Sequence, residues 1–142
     1  MKRVMFLISL CMVATLWGLE PIAIVKSTTG EVNIKRYNRV IRAKVGTELQ
    51  KGDIIITKYK SAVGIMFDDG SRLSLGENSI FNINKFLFKP NQNRFDIDLK
   101  LIKGKALFNS GKVGKIAPKA VKFRVPEGII GIRGTEFLVE VR

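Results

Sequence analysis

The 142-residue sequence contains no histidine. That removes the commonest general base, the commonest zinc ligand and the usual pH switch near neutrality. There is one cysteine, Cys11, and it lies in an apolar run near the N terminus. The rest of the chain therefore has no disulfide, no thiol nucleophile and no cysteine metal site. Acids are scarce: 12 Asp and Glu face 25 Lys and Arg, for a net charge of +13. After the N-terminal run, no stretch carries the 3.6-residue apolar period of a helix of normal length. Ser61, Ser71, Ser74, Ser79 and Ser110 have no histidine partner, and no G-x-S-x-G elbow surrounds any of them. Composition leaves a serine–lysine dyad open, but nothing points to one. The expectation is a protein that is not an enzyme and carries neither cofactor nor resident metal.

What is present begins with Lys2 and Arg3, followed by an uncharged apolar run over residues 4–17. A membrane-spanning helix needs ~20 apolar residues. A basic start, a shorter apolar core and small residues after it (Ala14, Thr15, Gly18) describe a secretory signal peptide over residues 1–18. An uncleaved N-terminal anchor is the alternative. Lipidation at Cys11 is disfavoured because Leu10, just before it, is bulky. On this reading the protein is periplasmic or secreted, and residues 19–142 form one domain long enough for a real core.

Without Lys2 and Arg3 the charge is still 23 cations against 12 acids, or +11. Such an excess attracts polyanions. For an exported chain these are lipopolysaccharide, acidic glycans, anionic lipid headgroups and acidic protein faces rather than nucleic acid. No aromatic platform interleaves with the basic residues as single-strand binders require. Their even spread from Lys26 to Arg142 also fits a solvated sheet face.

From Pro21 onward the text reads as about ten short strands separated by Gly, Asn and Pro turns, hence an all-β domain. Ile22 and Ile24, the turn at residues 27–30, and Val32 and Ile34 read as a first hairpin. Residues 37–44 read as a loop or edge strand. Val63, Ile65 and Phe67 alternate into Asp68-Asp69-Gly70-Ser71, and Leu73 and Leu75 leave it in phase, a strong hairpin signal. Phe95, Ile97, Leu99 and Leu101 face inward between Arg94, Asp96, Asp98 and Lys100, and Gly104 reads as a tight turn after them. Residues 110–119 read as a mobile loop. Val121, Phe123 and Val125, then Phe137, Val139 and Val141, alternate on either side of Gly128, Gly131 and Gly134. Glycines spaced in this way suit a sharp turn or a close backbone approach.

Three motifs in order resemble the FecR domain. They are Gly46, Leu49, Gly52 and Asp53; then Asp69, Gly70 and Ser71 within GIMFDDGSRLSLGENS; then Gly131, Arg133, Gly134, Thr135 and Phe137 within GIIGIRGTEFLVEV. They span residues 46–141. The resemblance implies a short twisted β-solenoid, with a β-sandwich or small barrel as the alternative. FecR regulators place a sigma-factor-binding segment before a membrane helix. Here only three residues precede the apolar run, so direct anti-sigma activity is not expected.

Individual residues add little chemistry. Asp68 and Asp69 lack the further oxygen ligands and closing glutamate of a calcium loop, so they read as a turn. Asp96 and Asp98 read as a solvated cross-strand charge ladder. The glycines at 128, 131 and 134 match neither phosphate-loop spacing. Arg133 reads as a structural tie, with its guanidinium donors satisfying exposed carbonyls or a carboxylate, so its removal is expected to lower stability more than binding. Thr135 reads as a strand-start residue. The leading function is an exported, non-catalytic module that binds an envelope protein in signalling or envelope assembly. Polyanion binding through a basic sheet face is the alternative, and a catalytic envelope protein the least favoured.

Overall fold

A computed structural model describes residues 19–132 and 136–142. Among these, twelve strands form one sheet system. In chain order they are β1 (Ala23–Thr29), β2 (Val32–Arg36), β3 (Arg39–Arg42), β4 (Glu48–Leu49), β5 (Ile54–Thr57), β6 (Ala62–Phe67), β7 (Arg72–Leu75), β8 (Ile80–Lys89), β9 (Arg94–Asn109), β10 (Val121–Val125), β11 (Gly128–Ile130) and β12 (Glu136–Val141). One short helix, α1 (Lys112–Ile116), precedes a 3₁₀ turn at Pro118–Ala120.

The strands follow the order β3-β2-β5-β8-β9-β7-β6-β1-β4. On the far side of β9, β10 and β12 lie end to end, with β11 on β10. All ladders are antiparallel except β10 on β9. The chain is thus all-β, as its alternation implies. The sheet curls into half a barrel, closer to the barrel alternative than to stacked solenoid rungs.

β9 organises this arrangement. Its first half pairs with β8 and β10, and its second half with β7 and β12. Inward residues are Ile97, Leu99 and Leu101, then Ala106 and Phe108, all fully buried. The inward parity changes between these groups. Ile80 lies opposite Lys103 and Phe81 opposite Leu101, leaving Ile102 as a bulge. Gly104, at φ 100°, completes the bend. The tight turn expected at Gly104 is therefore a kink within one 16-residue strand. A bulge and a turn both break period-two phase, so the pattern does not distinguish them.

Two further expectations are corrected. β1 and β2 do not pair with each other: β1 pairs with β4 and β6, and β2 with β3 and β5. Ser61 explains part of this separation, since its hydroxyl accepts from the Glu31 amide at 2.9 Å and its Cα lies 3.1 Å from where a Cβ on Gly30 would sit. Residues 110–119 are not a mobile loop. They fold into α1 and the 3₁₀ turn, and Val113 is fully buried in the core. Residues 37–44 do contain an edge strand, β3.

The core joins both halves through phenylalanine. Phe123 lies 5.9 Å from Phe81, 5.7 Å from Phe108 and 5.0 Å, edge-on, from Phe137. Phe67 and Phe86 stack at 4.6 Å. Such pairs contribute about 0.5–1.5 kcal/mol each beyond burial.

A Cβ on Gly104 would lie 2.5 Å from the Ser79 backbone in a conformation that side chains avoid. Gly104→Ala should therefore lower unfolding free energy by about 2–4 kcal/mol in urea titration. Gly131 has nothing within 4 Å of an added Cβ, so Gly131→Ala should change stability by less than ~0.5 kcal/mol. Equal effects at the two sites would refute this account of the β9 bend.

Candidate functional site

The first motif surrounds Asp53. Gly46 and Gly52 occupy turns at φ 93° and 88°, and Leu49 is fully buried opposite Ala23. Asp53 closes the turn that precedes β5 and is 0 % exposed. Its Oδ1 accepts from Arg36 Nε at 2.9 Å, and its Oδ2 accepts from Arg36 Nη2 and the Gln50 amide, both at 2.8 Å. Arg36 Nη2 also donates to the Glu48 carbonyl at 3.1 Å. The hydrogen bonds that Arg36 donates to Asp53 push the guanidinium pKa up further, against a smaller opposing effect of burial. Gly52 donates to the Ile83 carbonyl at 2.7 Å, and Ile83 donates back to Asp53 at 3.0 Å. Asp53 thus ties β2, the β4 turn and β8 together.

The second motif is the β6–β7 turn. Gly70, at φ 84°, lets the Gly70 amide reach the Phe67 carbonyl at 2.9 Å. Asp69 is 1 % exposed. Its Oδ1 accepts from the Ser71 amide at 2.8 Å, and its Oδ2 from the Ser71 hydroxyl at 2.7 Å and the Val113 amide at 3.1 Å. The Ser71 hydroxyl accepts from Gly111 at 2.8 Å, and the Asp69 carbonyl accepts from Lys112 at 2.9 Å. A Cβ on Gly111 would lie 2.6 Å from the Gly70 carbonyl carbon. This turn is therefore a dock for α1.

Of the third motif, Arg133, Gly134 and Thr135 lie outside the described residues. Gly131 is exposed and tightly approached by nothing. Phe137 is half-buried, 5.6 Å from Phe108. Motifs two and three meet across β9: Arg72 and Glu136 both lie opposite Asn109, whose side-chain amide donates to Glu136 at 3.3 Å. The first motif stands apart from them. The motif residues among those described do not converge on one pocket.

The carboxylates elsewhere also serve the fold. Asp96 pairs with Lys85 at 2.8 Å and Asp98 with Arg124 at 2.9 Å, which is the expected cross-strand ladder. Burial raises the Asp98 pKa, but the hydrogen bonds of Arg124 and Asn84 and the charges of Arg124 and Lys122 outweigh it and hold the group below its usual value. Among the described residues no cluster of His, Cys, Asp and Glu could hold a metal, and no helix is long and apolar enough to cross a membrane. Sequence reasoning missed Arg36, Gly111 and Val113. Arg36 is one of 25 cations, and nothing in its 17-residue separation from Asp53 marks it.

These observations define an all-β scaffold in which the residues of the first two motifs form turns and internal ties. The FecR protein family model matches residues 53–142, and the chain belongs to that family. The family is one of signalling and regulation rather than catalysis, and its members are generally periplasmic or membrane-associated. No curated protein and no solved structure matches the chain.

Arg36→Ala leaves the buried Asp53 charge unpaired and should cost about 3–5 kcal/mol, whereas Lys85→Ala breaks an exposed pair and should cost less than ~1 kcal/mol. Chemical denaturation of the two variants checks this, and near-equal losses would count against Asp53 as a tie. Asp68 supplies a pH test. Burial, then the charges of Asp69 and Glu20, raises its pKa in the folded state. Its charged form is thus disfavoured on folding, a cost present at neutral pH that fades as pH falls toward the unfolded value of ~3.9. Asp68→Asn should raise the melting temperature at pH 7 and leave it nearly unchanged near pH 3.5; a loss at pH 7 would reverse the assignment.

Proposed function

We propose that this chain is a non-catalytic FecR-type binding module of the bacterial envelope, which engages a partner protein by strand addition in signalling or envelope assembly. Family membership supports a signalling-related regulatory role. The inward use of Asp53 and Asp69 leaves those motif carboxylates engaged within the fold rather than free for chemistry. The apolar run over residues 4–17 is the export signal in this reading, and it lies outside the described residues.

The observation that carries the proposal is β12. Among the described residues it is paired on one side only, to β9. Its outer face presents Leu138, 71 % exposed and opposite Leu107, between Glu136 and Glu140. An added strand would gain main-chain hydrogen bonds from this edge and read Leu138 for specificity. β3 and β11 are also edges, but β3 carries Arg39 and Arg42, and β11 has three residues.

A photo-cross-linking residue at Glu140 should capture one protein of defined mass in intact envelopes, equally at low and high salt. Leu138→Lys should abolish the adduct without lowering the melting temperature. An adduct that disappears in high salt, or persists with Leu138→Lys, would sink the strand-addition reading.

A further inference from the structure

A second surface is independent of β12. The segment 111–126 carries Lys112, Lys115, Lys119, Lys122 and Arg124 and no acid. Arg124 is held by Asp98. The four lysines are exposed, and no ion pair among the described residues engages them. Lys122 stands opposite Asp98 in register, but that carboxylate is bonded to Arg124 and Asn84. Lys119 and Lys122 line an open cleft of about 610 Å³ whose other walls include Pro118, Val121, Ile129 and Ile132. Ile129 is 57 % exposed, and Ile116, on the helix just before the cleft, is 55 % exposed.

We infer that this face docks on a bilayer surface rich in anionic phospholipid, with Lys119 and Lys122 against the headgroup phosphates and Ile129 at the acyl boundary. The lysines alone would suit any polyanion. Ile129 decides the class, because a sulfated or carboxylated glycan gives it no apolar counterpart, whereas the headgroup–acyl boundary offers both environments. The face is fixed rather than adaptable: α1 is bonded to the Asp69 turn, and Val121 sits in the parallel ladder with β9. Each lysine near an anionic surface contributes a factor of about five in binding.

The test uses the full chain with an environment-sensitive fluorophore at Ile129→Cys in a Cys11→Ser background. A second label at Val40→Cys, an exposed position on β3, serves as control. Reading quenching by lipids labelled just below the headgroup separates this face from any membrane affinity of the N-terminal run. In vesicles containing phosphatidylglycerol, the label at 129 should be quenched and the label at 40 should not. Lys119→Gln and Lys122→Gln should each weaken the quenching about fivefold, and Lys35→Gln, on β2, should not. Quenching at 129 should be weak in phosphatidylcholine vesicles. Equal quenching at both positions, equal quenching in neutral vesicles, or indifference to the two lysines would overturn the inference. So would displacement from the vesicles by soluble heparin at equal charge, which would make the face a glycan site. None of these outcomes bears on cross-linking at β12.

Discussion

Strand β9 is the element that both halves of the sheet share, and its bend is the constraint on which the rest depends. A strand that faces one core over residues 97–101 and another stretch of the same core over 106–108 must change its inward parity on the way. Ile102 as a bulge and Gly104 at φ 100° make that change. Hydroxyls hold the corner. Ser79 accepts from the Lys105 amide at 3.1 Å, and Thr57 donates to the Gly76 carbonyl at 2.6 Å while accepting from the Ser79 amide. Because the corner is rigid, β10 and β12 can approach the same side of β9 from opposite ends. Phe123 and Phe137, one from each, then meet in one aromatic cluster.

Acid placement explains much of the outward character. The chain has 12 carboxylates, and several are drawn inward or into ladders: Asp53 and Asp69 are buried, while Asp96 and Asp98 are paired across strands. Removing a buried carboxylate's partner costs far more than breaking an exposed pair. The acids that stabilise most are therefore those least available to balance surface lysines. Residues 111–126 carry five cations and no acid, and of these only Arg124 has an ion pair among the described residues.

How much of this was legible in the sequence follows from the range of each interaction. Strand alternation and the Asp69-Gly70 hairpin are local, and they read correctly: Val63, Ile65, Phe67, Leu73 and Leu75 are all buried. Pairing partners are not local. The text suggested a β1–β2 hairpin because the two apolar runs are adjacent, yet each strand finds its ladder elsewhere. The β9 bend was read as a turn because a parity break looks the same in either case. The segment 110–119 looks like a linker because its ordering comes from backbone amides meeting a hydroxyl and a carboxylate some forty residues away, and lysine and glycine carry no trace of that. The motifs are visible in the sequence, but their roles as ties depend on Arg36 and Val113, which are distant in sequence.

That inward orientation bears on how a shared motif can coexist with different binding surfaces. Asp53, Asp69 and Ser71 spend their hydrogen-bonding capacity on Arg36, Gln50, Gly111 and Val113. What they determine is where other residues stand. Asp69 seats α1, and so fixes the start of the lysine-bearing segment that runs past Lys119 to β10. The aromatic contacts of Phe137 seat β12, and so fix the edge that presents Leu138. A change at Leu138, Lys119 or Ile129 alters a surface and leaves the ties intact. A change at Asp53 or Asp69 disturbs the scaffold beneath every surface. The described motif residues therefore act on the surfaces only through the positions they give to other residues.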